Sequence, residues 1–190
     1  MTNKQDLHAP QVSEAVRKRL RLPATSQLGF VVRDTDETAR YYEKVFGLGP
    51  WSIMDGETTD CTNRGEPTTI RGKIGVTQVG AVQFELIQIL EGESIHSEFL
   101  QERGEGLHHV GFHVRDLEAR LEACKEAGIE VLQKGTIKQG PITINYAYLD
   151  TVSIGGVVFE YIQYSLGPVP VVLPPLLMKG LSRLGAKAMK

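Results

Sequence analysis

Hydrophobic and polar residues alternate along several short stretches of the chain with the period of a β-strand. Over 27–32 the alternation puts Gln27, Gly29 and Val31 on one face and Leu28, Phe30 and Val32 on the other, the second suited to lie under a helix. The same pattern predicts strands over 27–32, 73–79 and 81–89, then over 108–114, 129–133, 142–149 and 156–164. Helical stretches are expected over 36–46 and 117–127. Asp34 and Asp116 stand at their N-cap positions, and Gly47 and Gly128 close them, since glycine readily takes the left-handed cap conformation.

The two sets of elements are copies of one another. Gln27-Leu-Gly-Phe-Val-Val-Arg-Asp34 returns as His109-Val-Gly-Phe-His-Val-Arg-Asp116, and Phe84-Glu-Leu-Ile-Gln88 returns in the same order as Phe159-Glu-Tyr-Ile-Gln163. Each half therefore reads as strand, helix, then two or three strands. Either unit is too small to bury a good core alone, so the copies are expected to build one continuous curved sheet with helices on its outer face. This places a two-module domain at 27–165, with module 1 at about 27–90 and module 2 at about 108–165. Residues 1–26 and 166–190 are extensions.

Composition narrows the partners. The 21 Lys and Arg against 23 Asp and Glu give a net charge of −2, so no positive field is available for nucleic acid. A hydrophobic content of 41% and a mean hydropathy of −0.16 describe a globular chain of one core. Residues 1–10 hold no apolar targeting core, and no run has the length of a membrane span, so a cytoplasmic protein without integral membrane association is expected. Cys61 and Cys124 cannot form a disulfide framework and lack the Cys-x-x-Cys spacing of a zinc or redox site.

The repeat also aligns the chemistry. Gln27 and His109 occupy equivalent positions of the first strand of each copy, and Glu85 and Glu160 equivalent positions of the last. Two carboxylates, an imidazole and an amide on inward strand faces are costly to bury unless something compensates them. A divalent metal satisfies all four, and three oxygen donors with one nitrogen suit a hard or borderline ion: Zn, Co, Ni, Mn or Mg. His113 shares the face of His109 and is a candidate substrate contact, as are Trp51, Tyr146 and Tyr148. His108 has the opposite parity from His109 and is expected to support the strand or turn.

These residues resemble the vicinal oxygen chelate superfamily, which includes glyoxalase I, methylmalonyl-CoA epimerase, extradiol dioxygenases and fosfomycin or bleomycin resistance proteins. The resemblance rests on the paired modules, on Gly104-Glu-Gly-Leu-His-His-Val-Gly-Phe112 and on the two Phe-Glu-x-Ile-Gln strands, and covers about residues 25–165. It implies an α+β fold of paired βαβββ modules forming a cup-shaped mixed sheet around one divalent metal, held here by Gln27, Glu85, His109 and Glu160. The central stretch looks most like methylmalonyl-CoA epimerase, whereas the Gln, Glu, His, Glu set looks like eukaryotic-type glyoxalase I. Where glutathione-type glyoxalase I has an Arg and an Asn for glutathione, this chain has Val31 and Ile89. In the epimerases one base is the last ligand, matching Glu160; Glu66 is a candidate for the other.

The function implied is an epimerase or isomerase that removes and returns a proton next to a carbonyl, with Glu160 as principal base and Glu85 as opposing acid. A methylmalonyl-CoA-like acyl-CoA is among the substrates the resemblance implies. A glyoxalase-like lyase or isomerase of a thiol adduct, and a non-catalytic binding or resistance protein, remain alternatives. Specificity is expected in loops at 50–72 and 134–143. A homodimer is expected, and a basic amphipathic helix after Pro175, with Leu176, Leu177, Leu181 and Leu184 on one side, is expected to pack as a lid or at a dimer contact.

Overall fold

The computed structural model describes residues 11–171; the helix expected after Pro175 lies outside them. The chain runs α1 (Glu14–Leu20), β1 (Gln27–Val31), α2 (Thr35–Phe46), β2 (Ser52–Glu57), β3 (Thr59–Asn63), β4 (Glu66–Thr68), β5 (Arg71–Val79) and β6 (Val82–Glu91). It continues through α3 (Ile95–Arg103), β7 (Gly106–His113), α4 (Leu117–Glu126), β8 (Val131–Gln139), β9 (Ile142–Leu149), α5 (Val152–Gly155), β10 (Val158–Leu166) and β11 (Val169–Val171). The strands form one mixed sheet in the order β2-β5-β6-β1-β7-β10-β9-β8-β3-β4, with β11 on β10.

Two βαβββ modules are evident in that order. Within each, the first strand lies parallel to the last, β1 on β6 and β7 on β10, and the modules join where β1 and β7 run antiparallel. A helix connects the first and second strands of each module. Phe30 and Val32 pack with Ala39, Trp51 and Leu86 beside α2, while Phe112 and Val114 pack with Leu117, Cys124 and Tyr161 beside α4. The alternation that sends these residues to the helices sends Gln27, Gly29, His109 and Gly111 to the concave face.

Several local expectations change. The stretches 50–72 and 134–143 are largely strand rather than loop: β2 edges module 1, and β8 and β9 form a hairpin turning at Gly140. One residue beyond β2, the chain starts β3, which crosses to the far edge of the sheet and pairs with β8 of module 2. The two edges of the sheet are thus tied by continuous chain, and the cup curls toward closure. Asp34 caps α2 by accepting from the Glu37 amide at 2.9 Å, whereas Asp116 makes no cap bond and instead accepts from Arg120 Nε at 2.7 Å. The N-terminal extension contributes α1, whose Val16 is buried against Ala123 and Ala127, with Arg19 bonded to Glu126. No helix among the described residues is long and apolar enough to cross a membrane.

Candidate metal and acid-base centre

The centre forms where the four middle strands lie side by side. One row across β6, β1 and β7 reads Glu85, Gly29, His109; the next, extended to β10, reads Gln83, Gln27, Gly111, Glu160. Each row has a glycine at its middle, and each glycine makes room for a functional side chain. A Cβ on Gly29 would stand 1.8 Å from His109 Cε1 and 2.0 Å from its Nε2, and one on Gly111 would stand 2.9 Å from Gln27 Oε1. The repeat pairs Gln27 with His109, Glu85 with Glu160 and Gly29 with Gly111 about the β1–β7 junction.

His109 Nε2 lies 3.4 Å from a Glu85 oxygen and 3.2 Å from a Glu160 oxygen, without hydrogen-bond geometry to either. Gln27 donates through Nε2 to Gln83 Oε1 at 2.8 Å, which leaves its own Oε1 buried and unpartnered. His109 Nε2 and Glu160 Oε2 are likewise buried without a partner. Orphaned buried donors and acceptors are rare, and several around one point call for an ion or water. The residues therefore fit a divalent cation held by Gln27, Glu85, His109 and Glu160.

Electrostatics agree. Burial alone would push His109 down, but the Glu160 and Glu85 carboxylates outweigh it and hold the imidazole up to about 9. Without a metal, a proton on His109 supplies the positive charge the carboxylates need. Burial pushes Glu160 up, countered by His109 and reinforced by Glu85. The Tyr148 hydroxyl, cross-strand neighbour of Glu160, is raised by burial and by both carboxylates, so it stays protonated and able to donate.

His108 departs from the simple alternation. The β1–β7 register shifts between Gly29 and Phe30, whose partners are His109 and Leu107, so His108 is the extra residue of a β-bulge. Both imidazoles are buried, and their Nδ1 atoms lie 3.1 Å apart. If His109 gives Nε2 to a metal, its Nδ1–H donates to His108, which then carries its own proton on Nε2; such a bond fixes ligand orientation. His96, at the start of α3, completes a buried cluster whose ligating atoms, one from each of His96, His108 and His109, lie within 4.8 Å of one another and could hold a metal. Both ring nitrogens of His96 are unpartnered. Sequence reasoning missed His96, which has no copy in the other module, and Gln83, which period-two alternation from Glu85 could have found.

Above the centre, the concave face encloses a cavity of about 590 Å³. Gln27, Glu85, Glu160, His96, Tyr146 and Tyr148 line it; His113 and Trp51 do not. Trp51 is packed in the core beside α2 with Nε1 donating to Leu48 O, because the turn after α2 carries it to the helix side of the sheet. His113 packs edge-on against Tyr164, and burial pushes it down to about 4. Glu66 lies exposed on β4 at the sheet's edge and is not among the lining residues.

The profile of the Glyoxalase/Bleomycin resistance protein/Dioxygenase superfamily matches residues 26–148, and the chain belongs to this superfamily. The uncharacterized protein YqjC of Bacillus subtilis is 27% identical over 135 residues, covering 70% of this chain and 86% of that protein. Hypothetical protein BH1468 of Bacillus halodurans is similar in structure, with a TM-score of 0.54 at 24% identity over 73% of this chain and 92% of that one. A methylmalonyl-CoA epimerase variant of Streptomyces coelicolor in complex with 2-nitronate-propionyl-CoA gives a TM-score of 0.54 at 20% identity, over 75% and 97%. The Mycobacterium tuberculosis methylmalonyl-CoA epimerase gives 0.52 at 21% identity, over 76% and 93%. At these identities the structural likeness establishes the fold.

Proposed function

We propose that the protein is a metal-dependent isomerase that removes a proton from carbon next to a carbonyl and returns it, to the opposite face of the same carbon or to its neighbour. The observation that carries this reading is the placement of Glu85 and Glu160, at repeat-related positions on strands either side of the β1–β7 pair, both reaching His109 Nε2 from the cavity floor. Gln27, Glu85, His109 and Glu160 would hold a divalent cation, which would supply Lewis-acid stabilisation of negative charge on the substrate's carbonyl oxygen.

The chain's own residues do the rest. Burial favours the protonated form of Glu160, whose carboxylate takes the substrate's α-proton on one oxygen. Glu85 lies on the other side of the floor and, having taken up a proton from solvent, gives it to the carbon, after which Glu160 releases its proton to solvent. The Tyr148 hydroxyl beside Glu160 donates to the carboxylate while it is ionised and steadies its orientation. The floor is largely shielded from solvent, with His109 fully buried and Glu160 nearly so.

The test is metal analysis followed by solvent deuterium incorporation into enolisable carbonyl compounds, 2-methylmalonyl-type acyl-CoAs among them. Incorporation that requires metal and is lost in Glu160→Gln supports the isomerase. Full turnover by Glu160→Gln with metal still bound sinks the assignment of the base, and tight binding without exchange identifies a binding protein. X-ray absorption on the loaded protein separates the two metal arrangements: one imidazole per ion for the carboxylate set, three for the histidine cluster.

A further inference from the structure

We infer that the substrate carries a neutral, apolar body rather than a second acidic group. This rests on the isomerase reading and names the class of carbonyl compound that the same cavity takes. Eight isoleucines line the cavity, among them Ile74, Ile87, Ile89, Ile137, Ile144 and Ile162, and among the described residues no lysine or arginine does.

Strand alternation explains the absence of cations. On β5, Gly72, Ile74 and Val76 face the cavity, while Lys73 between them points to the helix side and bonds Asp36 at 2.6 Å. On β8, Ile137 and Gln139 face in, while Lys134 and Lys138 are exposed. The charges at the floor are those of Glu85 and Glu160, and a divalent cation there would match these two carboxylates and leave nothing for a further anion. A carboxylate or phosphate held along the isoleucine wall would be desolvated without a cationic partner among the described residues, a cost of several kcal/mol even after relaxation.

Size points the same way. A cavity of about 590 Å³ has room for roughly twenty water-sized groups, far more than a short acyl unit fills. Its walls reward aliphatic or alicyclic carbon. The substrate class is therefore a medium-sized apolar compound with one enolisable carbonyl group: the oxygens go to the polar floor and the hydrocarbon to the wall.

The experiment is calorimetric titration of the metal-loaded protein with straight-chain 1-hydroxy-2-alkanones of increasing length and with their ω-carboxylated counterparts. Binding is expected to tighten about fourfold per added methylene until the cavity is filled, and the carboxylated forms to bind about a hundredfold more weakly or worse. Ile144→Asn and Ile74→Asn, at half-buried wall positions, should each flatten the dependence on length. Affinity independent of chain length, or carboxylated probes that bind as tightly as neutral ones, overturns the inference. A steep length dependence without deuterium exchange upholds it while removing the isomerase reading. Exchange confined to a short carboxylated acyl-CoA does the reverse.

Discussion

Gly29→Ala is the sharpest single perturbation, because it alters the centre without touching a donor atom. The added methyl would stand 1.8 Å from His109 Cε1, about half of the ~3.5 to 4.0 Å separation of carbons in contact. The ring has nowhere to retreat: it is fully buried, His108 Nδ1 is 3.1 Å from its own Nδ1, and the Tyr148 and His96 rings stand edge-on at 5.1 and 6.1 Å between centroids. Either the imidazole leaves its place between Glu85 and Glu160, or β1 and β7 part where Gly29 opposes His109. Overpacking of this kind costs about 3 kcal/mol, which for a chain of this size lowers Tm by about 6 to 12 °C. With His109 as a proposed ligand, its displacement should weaken divalent metal binding by at least ~100-fold, beyond the usual effect of disturbing a ligand's support. Gly75→Ala is the control: its methyl would meet Thr35 Cγ2 at 2.9 Å, beside α2 and away from the proposed metal ligands, so it should lower Tm with metal affinity intact. Thermal melts followed by circular dichroism and metal titration by calorimetry check both. A Gly29→Ala protein that binds metal like the wild type would refute the account of why this glycine faces His109.

Two further outcomes are expected. His113 is held neutral by burial, down to about 4 from an ordinary 6.5. Between those values the unfolded chain binds a proton that the folded protein does not, so His113's contribution to stability is complete above pH 6.5 and is lost as pH falls toward 4. The stability of wild type relative to His113→Leu should therefore fall by about 3 kcal/mol across that window, read from urea unfolding at each pH; a constant difference would exclude the burial effect. The two helix starts should also differ. Asp34→Ala removes a real cap and should cost about 1 kcal/mol, whereas Asp116→Ala removes an exposed carboxylate from Arg120, which keeps its bond to Arg21 O, and should cost under about 0.5 kcal/mol. Equal losses by denaturant unfolding would show that Asp116 caps its helix in solution.

Much of the molecule was legible from the chain because it depends on short-range pattern and on duplication. Period-two alternation sent Phe30 and Phe112 to the helices and Gln27 and His109 to the opposite face, and the repeat tied Glu85 to Glu160 across a gap no local pattern spans. What tertiary structure decided lies where distant segments meet. Thr59–Asn63 read as loop because its polar residues acquire a strand's burial pattern only against β8, on the other module. His108 defied its parity because the bulge that places it beside His109 arises from the β1–β7 register, which neither strand specifies alone. Trp51 followed the path of the turn after α2 into the core, and His96 reached the centre from a helix with no copy in the repeat. Local periodicity assigns a side chain to a face. Only the pairing of strands fixes which faces meet, and with them the two vacant Cβ positions at Gly29 and Gly111 that leave room for the imidazole and the amide.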